Sequence, residues 1–480
     1  MGLSADVSTF SPLHSRSLRR AAITTSGQHT ALLPLGDPRE ETDGATCPMA
    51  AQSMLLAGQN EYGQLGLPPS EPVLIPVPRA CPQRIVSVAL GWEHTVLATA
   101  NGDVLCAGRM DPVASELIPG DGGWKKIVGL PPCSEVASGR SHTLALSRDG
   151  HHLYTWGGSA RHGLLPAGSR SDAAVCISEL PGLCLGAAPA GSSSPRFVAI
   201  ACGWQHSAVL CSDGGVIAWG SNRHGQCGAD PSGPGGTTMC VPSYVAGVGP
   251  GTHFRALSLR CGWSHAAVIA ARAAGGSDSE VRVKYHQSAP AAEIGASQPA
   301  VAAPFALLTW GRADMGQLGR PFAGEGTAGI SSGGSSGGGG GGVAEARWRA
   351  SPVRLIAGEP SAADGAGTVA RSTRLSPTHE CAPGASLSAQ HCRCESDPLA
   401  VACGAEHTLC AASCGCAFAW GWNEHGNLGV GDSVNRWLPT RALGVGCGTQ
   451  SRVSAVSAGG AVSFVEVQRS PLADGSMRGP

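Results

Sequence analysis

Five histidines recur in one setting, and the recurrence limits what chemistry they can do. His94, His142, His206, His265 and His407 each stand three residues after a glycine (Gly91, Gly139, Gly203, Gly262, Gly404) and just before Ser, Thr or Ala. Imidazole moves protons and binds metals near neutral pH. A catalytic centre gathers different residue types at one place, whereas here one type repeats at five places, which a structural role explains. Both ring nitrogens can tie a loop to its surroundings. These histidines read as structural, with no catalytic residue and no metal ligand among them.

The other chemically suggestive stretches are weaker. His379, Cys381, His391, Cys392 and Cys394 lie in HECAPGASLSAQHCRC, whose spacing fits no common zinc site. Cys414-Gly415-Cys416 takes the place of a hairpin turn. No G-x4-G-K-[ST] loop occurs among the 70 glycines, so the chain is not expected to bind nucleotide itself, and no cofactor is implied. The 19 cysteines are odd in number and irregularly spaced, and Cys202, Cys261 and Cys403 sit just before a motif glycine. They read as buried thiols of a protein of the cytoplasm or nucleus, not a disulfide framework.

Between each motif glycine and its histidine stand two residues that vary: Trp92-Glu93, Arg140-Ser141, Trp204-Gln205, Trp263-Ser264 and Ala405-Glu406. Varied side chains on a fixed scaffold are where recognition concentrates. Trp and Arg are the residue types that anchor protein interfaces. These ten residues are the candidate partner-binding set.

The elements that position them are hairpins. Val198 to Ala201, Ser207 to Cys211 and Val216 to Trp219 are short runs, apolar at nearly every position, so both faces must be covered. Asn101-Gly102, Asp149-Gly150 and Asp213-Gly214 supply tight turns. Each third run ends on a glycine, preceded by Trp156, Trp219, Trp310 or Trp420 in four copies, by Ala57 and Ala107 in two. A trailing G-x4-G-x2-G is intact at Gly58, Gly220, Gly311 and Gly421. The tryptophans are expected to pack between neighbouring units.

A degenerate copy, Gly27-Gln28-His29, opens the series one residue short, and Gly459 to Val462 closes it without a histidine, making seven. Hairpin units repeating every 50 residues or so predict a seven-bladed, all-β propeller. Equivalent loops then lie on one face, and the ten varied residues ring one mouth. The repeats span 21–469, flanked by disordered segments 1–20 and 470–480. The long step from His265 to His407 implies one blade with two insertions, 271–303 within a hairpin and the Gly/Ser-rich 321–398. The final copy supplies two strands, so its partner strands should come from before His29. Since Met1 to Arg20 holds no Trp-Gly strand, either the last blade is thin or the start of the chain is incomplete.

A net charge of −1 with 14% charged residues gives no basic field for nucleic acid, and no apolar run reaches the roughly 20 residues of a membrane helix. The partner expected is a protein, and the chain is expected to be a monomer.

WGSNRHGQCG, WGRADMGQLGR and WGWNEHGNLG, with CGWQHS and CGAEHT, resemble the regulator of chromosome condensation repeat, from about Arg20 to Val467 outside the insertions. WGRADMGQLGR and WGWNEHGNLG are most similar to the secretion-regulating exchange-factor branch of that family. The resemblance implies a seven-bladed propeller whose mouth face meets a small GTPase and releases its nucleotide without covalent chemistry. Glu93 and Glu406 would then compete with phosphate for a GTPase lysine, with a wedge in the loop from Ser159 to Pro166 or in the turn after Asp149. Other members are scaffolds, and one is a plant ultraviolet-B receptor with G-W-x-H motifs. Against the receptor reading, Glu, Gln and Ser follow Trp92, Trp204 and Trp263 where the receptor has Arg, and these tryptophans do not fall on three successive blades. The chain departs from the family pattern in RMDPVASEL (Arg109 to Leu117), which lacks the glycines, and in the short opening motif.

Overall fold

A computed structural model describes residues 21–34, 52–81, 83–109, 115–117, 123–158, 174–179, 196–233, 236–272, 305–320, 347, 349–353, 355, 396–446 and 451–469. The segments 1–20 and 470–480, most of both expected insertions, the Cys/His-rich stretch and the loop from Ser159 to Pro166 lie outside these.

Among the described residues the chain forms seven antiparallel sheets, taken here as blades 1 to 7. Blade 1 runs Ala21–Thr25, His29–Pro34, Gln52–Asn60, Ser70–Cys81, and blade 2 runs Ile85–Leu90, His94–Thr99, Val104–Gly108 with Lys125–Ile127 and Ser115–Leu117 outside. Blade 3 is Cys133–Ser138, His142–Ser147, Leu153–Gly157, Val175–Cys176; blade 4 is Phe197–Cys202, His206–Cys211, Val216–Ser221, Thr238–Tyr244. Blade 5 has Phe254–Ala256 and Arg260–Cys261 as its inner edge, then His265–Arg272, Phe305–Gly311 and Ser351–Val353. Blade 6 is Pro398–Cys403, His407–Ala412, Ala417–Gly421, Arg436–Arg441, and blade 7 pairs Ser451–Gly459 with Val462–Arg469.

The first strands of successive blades touch one another all the way round, including blade 7 against blade 1, so the ring is closed. The second strands of blades 2, 3, 4 and 6 are buried at all six positions, as strands covered on both faces must be. Each core cluster straddles two blades: Val96, Ala98 and Val104 of blade 2 meet Val136, Ala145 and Trp156 of blade 3. Trp156, Trp219, Trp310 and Trp420 are all buried. Burying an indole removes about 200 Å² from water, roughly 5 kcal/mol at about 25 cal/mol per Å² before entropy is set against it.

Three expectations are corrected. The N-terminal strands do not complete the last blade. They are the inner strands of blade 1's own sheet, and closure is made by sheet faces, with Ser457 Oγ donating to Ile23 O at 2.6 Å across the seam. The opening motif is not short. Ser26 N donates to His29 O as Gly91 N donates to His94 O, so Ser26 holds the glycine position and the turn is Ser26-Gly27-Gln28-His29. The stretch 321–398 is not wholly an insertion, because Ser351–Val353 pairs with Phe305–Gly311 as the outer strand of blade 5 and Pro398 opens blade 6.

Candidate functional site

Each G-x-x-H loop joins the first strand of a blade to the second. Every motif histidine pairs in register with the glycine ending the third strand: His94 with Gly108, His142 with Gly157, His206 with Gly220, His265 with Gly311, His407 with Gly421. The G-x-x-H loops and those after the third strand therefore share one face, and the turn after Asp149 lies at the other. That turn cannot be a wedge on the mouth face.

The first glycine is dictated by the imidazole. A Cβ on Gly91, Gly139, Gly203, Gly262 or Gly404 would overlap the ring of its own motif histidine. Ser26 escapes by turning its hydroxyl to His29 Nδ1, 3.3 Å away.

The other ring nitrogen crosses to the next blade. His29 Nε2 meets Thr95 Oγ1 at 2.7 Å, His94 meets Thr143 at 3.1 Å, His142 meets Ser207 at 3.0 Å, His265 meets Thr408 at 3.0 Å and His407 meets Ser463 at 2.9 Å. Thr95 and Thr408 spend their single hydroxyl hydrogens on Gln64 O and Gln317 O, so they accept from Nε2–H. The series breaks once, where Ala266 offers His206 no hydroxyl. Burial pushes His29, His142 and His265 down to about 3, and His94, His206 and His407 to about 4, leaving all six neutral at pH 7. Five of them are interblade struts, and all six are shut off from solvent.

Inside the histidine ring runs a second, backbone ring. Trp92 N donates to Arg140 O, Arg140 N to Trp204 O, Trp204 N to Trp263 O, Trp263 N to Ala405 O and Ala405 N to Gly460 O, at 2.8 to 3.2 Å. These bonds bring the first of the two varied positions to the axis. There the indoles of Trp92, Trp204 and Trp263 gather, with Trp204 to Trp263 centroids at 4.4 Å, Trp92 to Trp204 at 4.8 Å and Trp92 to Trp263 at 6.2 Å. All three are half-buried, although they sit on blades 2, 4 and 5 and not on three successive blades. The guanidinium of Arg140, which is exposed, lies 5.2 Å over the Trp204 ring. Beneath them is an axial cavity of about 110 Å³ lined by Leu90, Ser138, Cys202, Cys261 and Cys403. Burial raises the Cys403 thiol to about 12 and keeps Cys202 and Cys261 protonated as well.

The second varied position lies farther from the axis. Ser141 is exposed, and Gln205 and Ser264 are half-buried. Glu93 pairs with Arg109 at 3.7 Å, and Glu406 pairs with Arg312, which also holds Asp314 at 2.7 Å. Burial holds Glu406 above the usual carboxylate range, against the pull of Arg312. Ala405 is buried. The structure thus brings Trp92, Arg140, Trp204 and Trp263 together, while the two carboxylates are tied to arginines. Sequence reasoning missed Arg109 and Arg312, which follow the glycine ending the third strand in blades 2 and 5.

Packing around the mouth accounts for the trailing loops. Trp310 Nε1 donates to Gln226 O and Trp420 Nε1 to Gln317 O, each at 3.0 Å, so the indole of one blade holds the loop of the blade before. Blade 2 has Ala107 in place of this tryptophan. Trp124, from just before its Lys125–Ile127 strand, packs on Gly66 of blade 1 in its stead, as Trp420 packs on Gly319.

The regulator of chromosome condensation (RCC1) repeat matches residues 54–98, 213–269 and 415–465, and a second model of the repeat matches 197–226. Over these residues the chain carries regulator of chromosome condensation repeats. The three segments matched by the first model each run from one blade into the next. Over 459 residues the chain is 27% identical to the secretion-regulating guanine nucleotide exchange factor of Mus musculus, covering 89% of this chain and 74% of that protein. The Bos taurus protein of that name is 26% identical over 425 residues, 82% of this chain and 70% of that one. The ultraviolet-B receptor UVR8 of Arabidopsis thaliana is 31% identical over 229 residues, 45% of this chain and 46% of the receptor. Among solved structures, human WBSCR16 superposes with a TM-score of 0.58 at 16% identity, covering 95% of this chain and 88% of that one. Prp20p of Saccharomyces cerevisiae, studied for its binding to Gsp1p and histones, superposes with a TM-score of 0.57 at 18% identity, covering 94% and 82%. The described residues thus share the propeller fold of these structures.

Proposed function

We propose that the chain regulates a small GTPase as a guanine nucleotide exchange factor, gripping it through the face that carries the G-x-x-H loops. The observation that carries this reading is the gathering of Trp92, Trp204, Trp263 and Arg140 at one mouth, half-exposed on an otherwise closed ring. The likeness to secretion-regulating exchange factors over most of both chains supports the same role. Exchange needs no bond making. It needs only tighter binding to the empty GTPase than to the loaded one, and by linkage that preference loosens the nucleotide. The assay is release of labelled GDP from a panel of small GTPases; acceleration for one of them supports exchange, and none across the panel rejects it.

A scaffold reading has its own support. The two acidic residues at the mouth that would displace phosphate are neutralised by Arg109 and Arg312. A partner that stays bound whatever its nucleotide, with no change in release rate, identifies a scaffold.

A further inference from the structure

The mouth is lopsided. In blade order, the first position after the motif glycine, or after Ser26 in blade 1, holds Gly27, Trp92, Arg140, Trp204, Trp263, Ala405 and Gly460. Four bulky side chains stand on blades 2 to 5, while blades 6, 7 and 1 offer a methyl group or nothing. Gly27 and Gly460 approach so closely that a Cβ on either would overlap the other's backbone. The indoles therefore close over the axial cavity from the side of blades 2 to 5, and the opposite side is low, bounded by Ser26, Gly404, Gly459 and Gly460.

Among the G-x-x-H loop side chains, the one charge without an ion-pair partner is positive. Within the G-x-x-H loops Glu93 is held by Arg109 and Glu406 by Arg312, which it shares with Asp314 of the loop after the third strand, and Ser141, Gln205 and Ser264 are neutral. Arg140 rests on the Trp204 ring, exposed, and among the described residues it makes no ion pair. An aromatic wall by itself would suit a cation. Here Arg140 already occupies that interaction and repels a second positive charge, so the wall fits an aromatic ring packed edge-on or offset.

We propose that the mouth receives an acidic segment of a partner protein bearing one aromatic side chain. The ring seats against Trp92, Trp204 and Trp263 on the low side at Gly27, Ala405 and Gly460, and a flanking carboxylate takes the Arg140 guanidinium. This rests on the reading of the mouth face as the gripping face and names the chemistry of what it grips.

The test uses the full chain and three probe peptides, acetyl-EDFDE-amide, acetyl-EDADE-amide and acetyl-KRFRK-amide, titrated by calorimetry and followed by tryptophan fluorescence. The acidic aromatic peptide is expected to bind at least about tenfold more tightly than either control. Arg140→Glu should reverse the preference between EDFDE and KRFRK. Trp204→Phe should weaken EDFDE several-fold at an unchanged melting temperature, and Arg148→Glu, in a hairpin turn at the other end of the ring, should leave it unchanged. Equal binding of EDADE or KRFRK, no binding of EDFDE at millimolar concentration, or indifference to Arg140→Glu would each overturn the proposal. GDP release is read separately: peptide preference without release rejects exchange and keeps this site, while release without peptide preference does the reverse.

Discussion

At the scale of single residues, the informative position is Ala266. Five motif histidines hand Nε2 to a hydroxyl of the next blade, and His206 alone among them meets a methyl group. Serine fits this niche at 207 and 463, so Ala266→Ser should fit as well. It is expected to raise stability by about 1 kcal/mol, the net value of a buried hydrogen bond. Ser207→Ala removes the partner of His142 and should cost about 1–3 kcal/mol, since a buried polar nitrogen is then left unpaired. Urea titrations measure both; no gain from Ala266→Ser means that His206 Nε2 is satisfied by other atoms. The Ser, Thr or Ala after each histidine is visible in the sequence, yet its role is not. The histidine it serves lies 49 residues away for Thr143 and 143 away for Thr408, and only ring closure brings such pairs together.

At the scale of the blade, loops and indoles are interlocked, and two substitutions separate their contributions. Gly203→Ala would drive a methyl group into the His206 ring. Because the conflict is with a fully buried side chain and with Gly262 O of the next blade, the cost should be about 3 kcal/mol, read as a lower urea midpoint. Trp124→Ala empties the slot that a third-strand tryptophan fills elsewhere, and a loss of about 3–5 kcal/mol is expected. Should Trp124→Ala melt like the parent, the Gly66 loop does not depend on the indole. Blades with the full pattern were legible because the glycines, turns and tryptophans are each required by geometry. The outer part of blade 2 was not, since its indole arrives from outside the repeat's usual position, and neither was blade 5's Ser351–Val353, which pairs across a long intervening stretch. The mouth was half legible. Sequence placed the varied residues on one face, but whether Glu93 and Glu406 were free depended on arginines from a different loop.

For the whole ring, the buried histidines make acid the sensitive variable. His29, His94, His142, His206, His265 and His407 have folded pKa values of about 3 to 4 because burial penalises the imidazolium. Each titrates near 6.5 once unfolded. The unfolded chain therefore binds more protons throughout the window from about 6.5 down to about 4, and stability must fall as pH falls through it. At pH 5.5 the loss is about 1 kcal/mol per histidine, a sum comparable with the whole stability of many folded domains. Carboxylate protonation also destabilises folded proteins in acid, but mostly below this window. Calorimetric unfolding at pH 5.5 in two buffers of different ionisation enthalpy distinguishes the two, with uptake of about five protons expected from the histidines, less about one released by Glu135, which burial raises to about 8. Uptake of one proton or fewer would show that the imidazoles are not shielded. The consequence for the ring follows from where the histidines stand: six interfaces carry one each, while the seam between blades 7 and 1 has Val462 at the equivalent position and is closed by Ser457 and Ile23. Acid should therefore loosen six interfaces together and spare the seam between blades 7 and 1, so the ring should fail as a unit and not peel open at that seam.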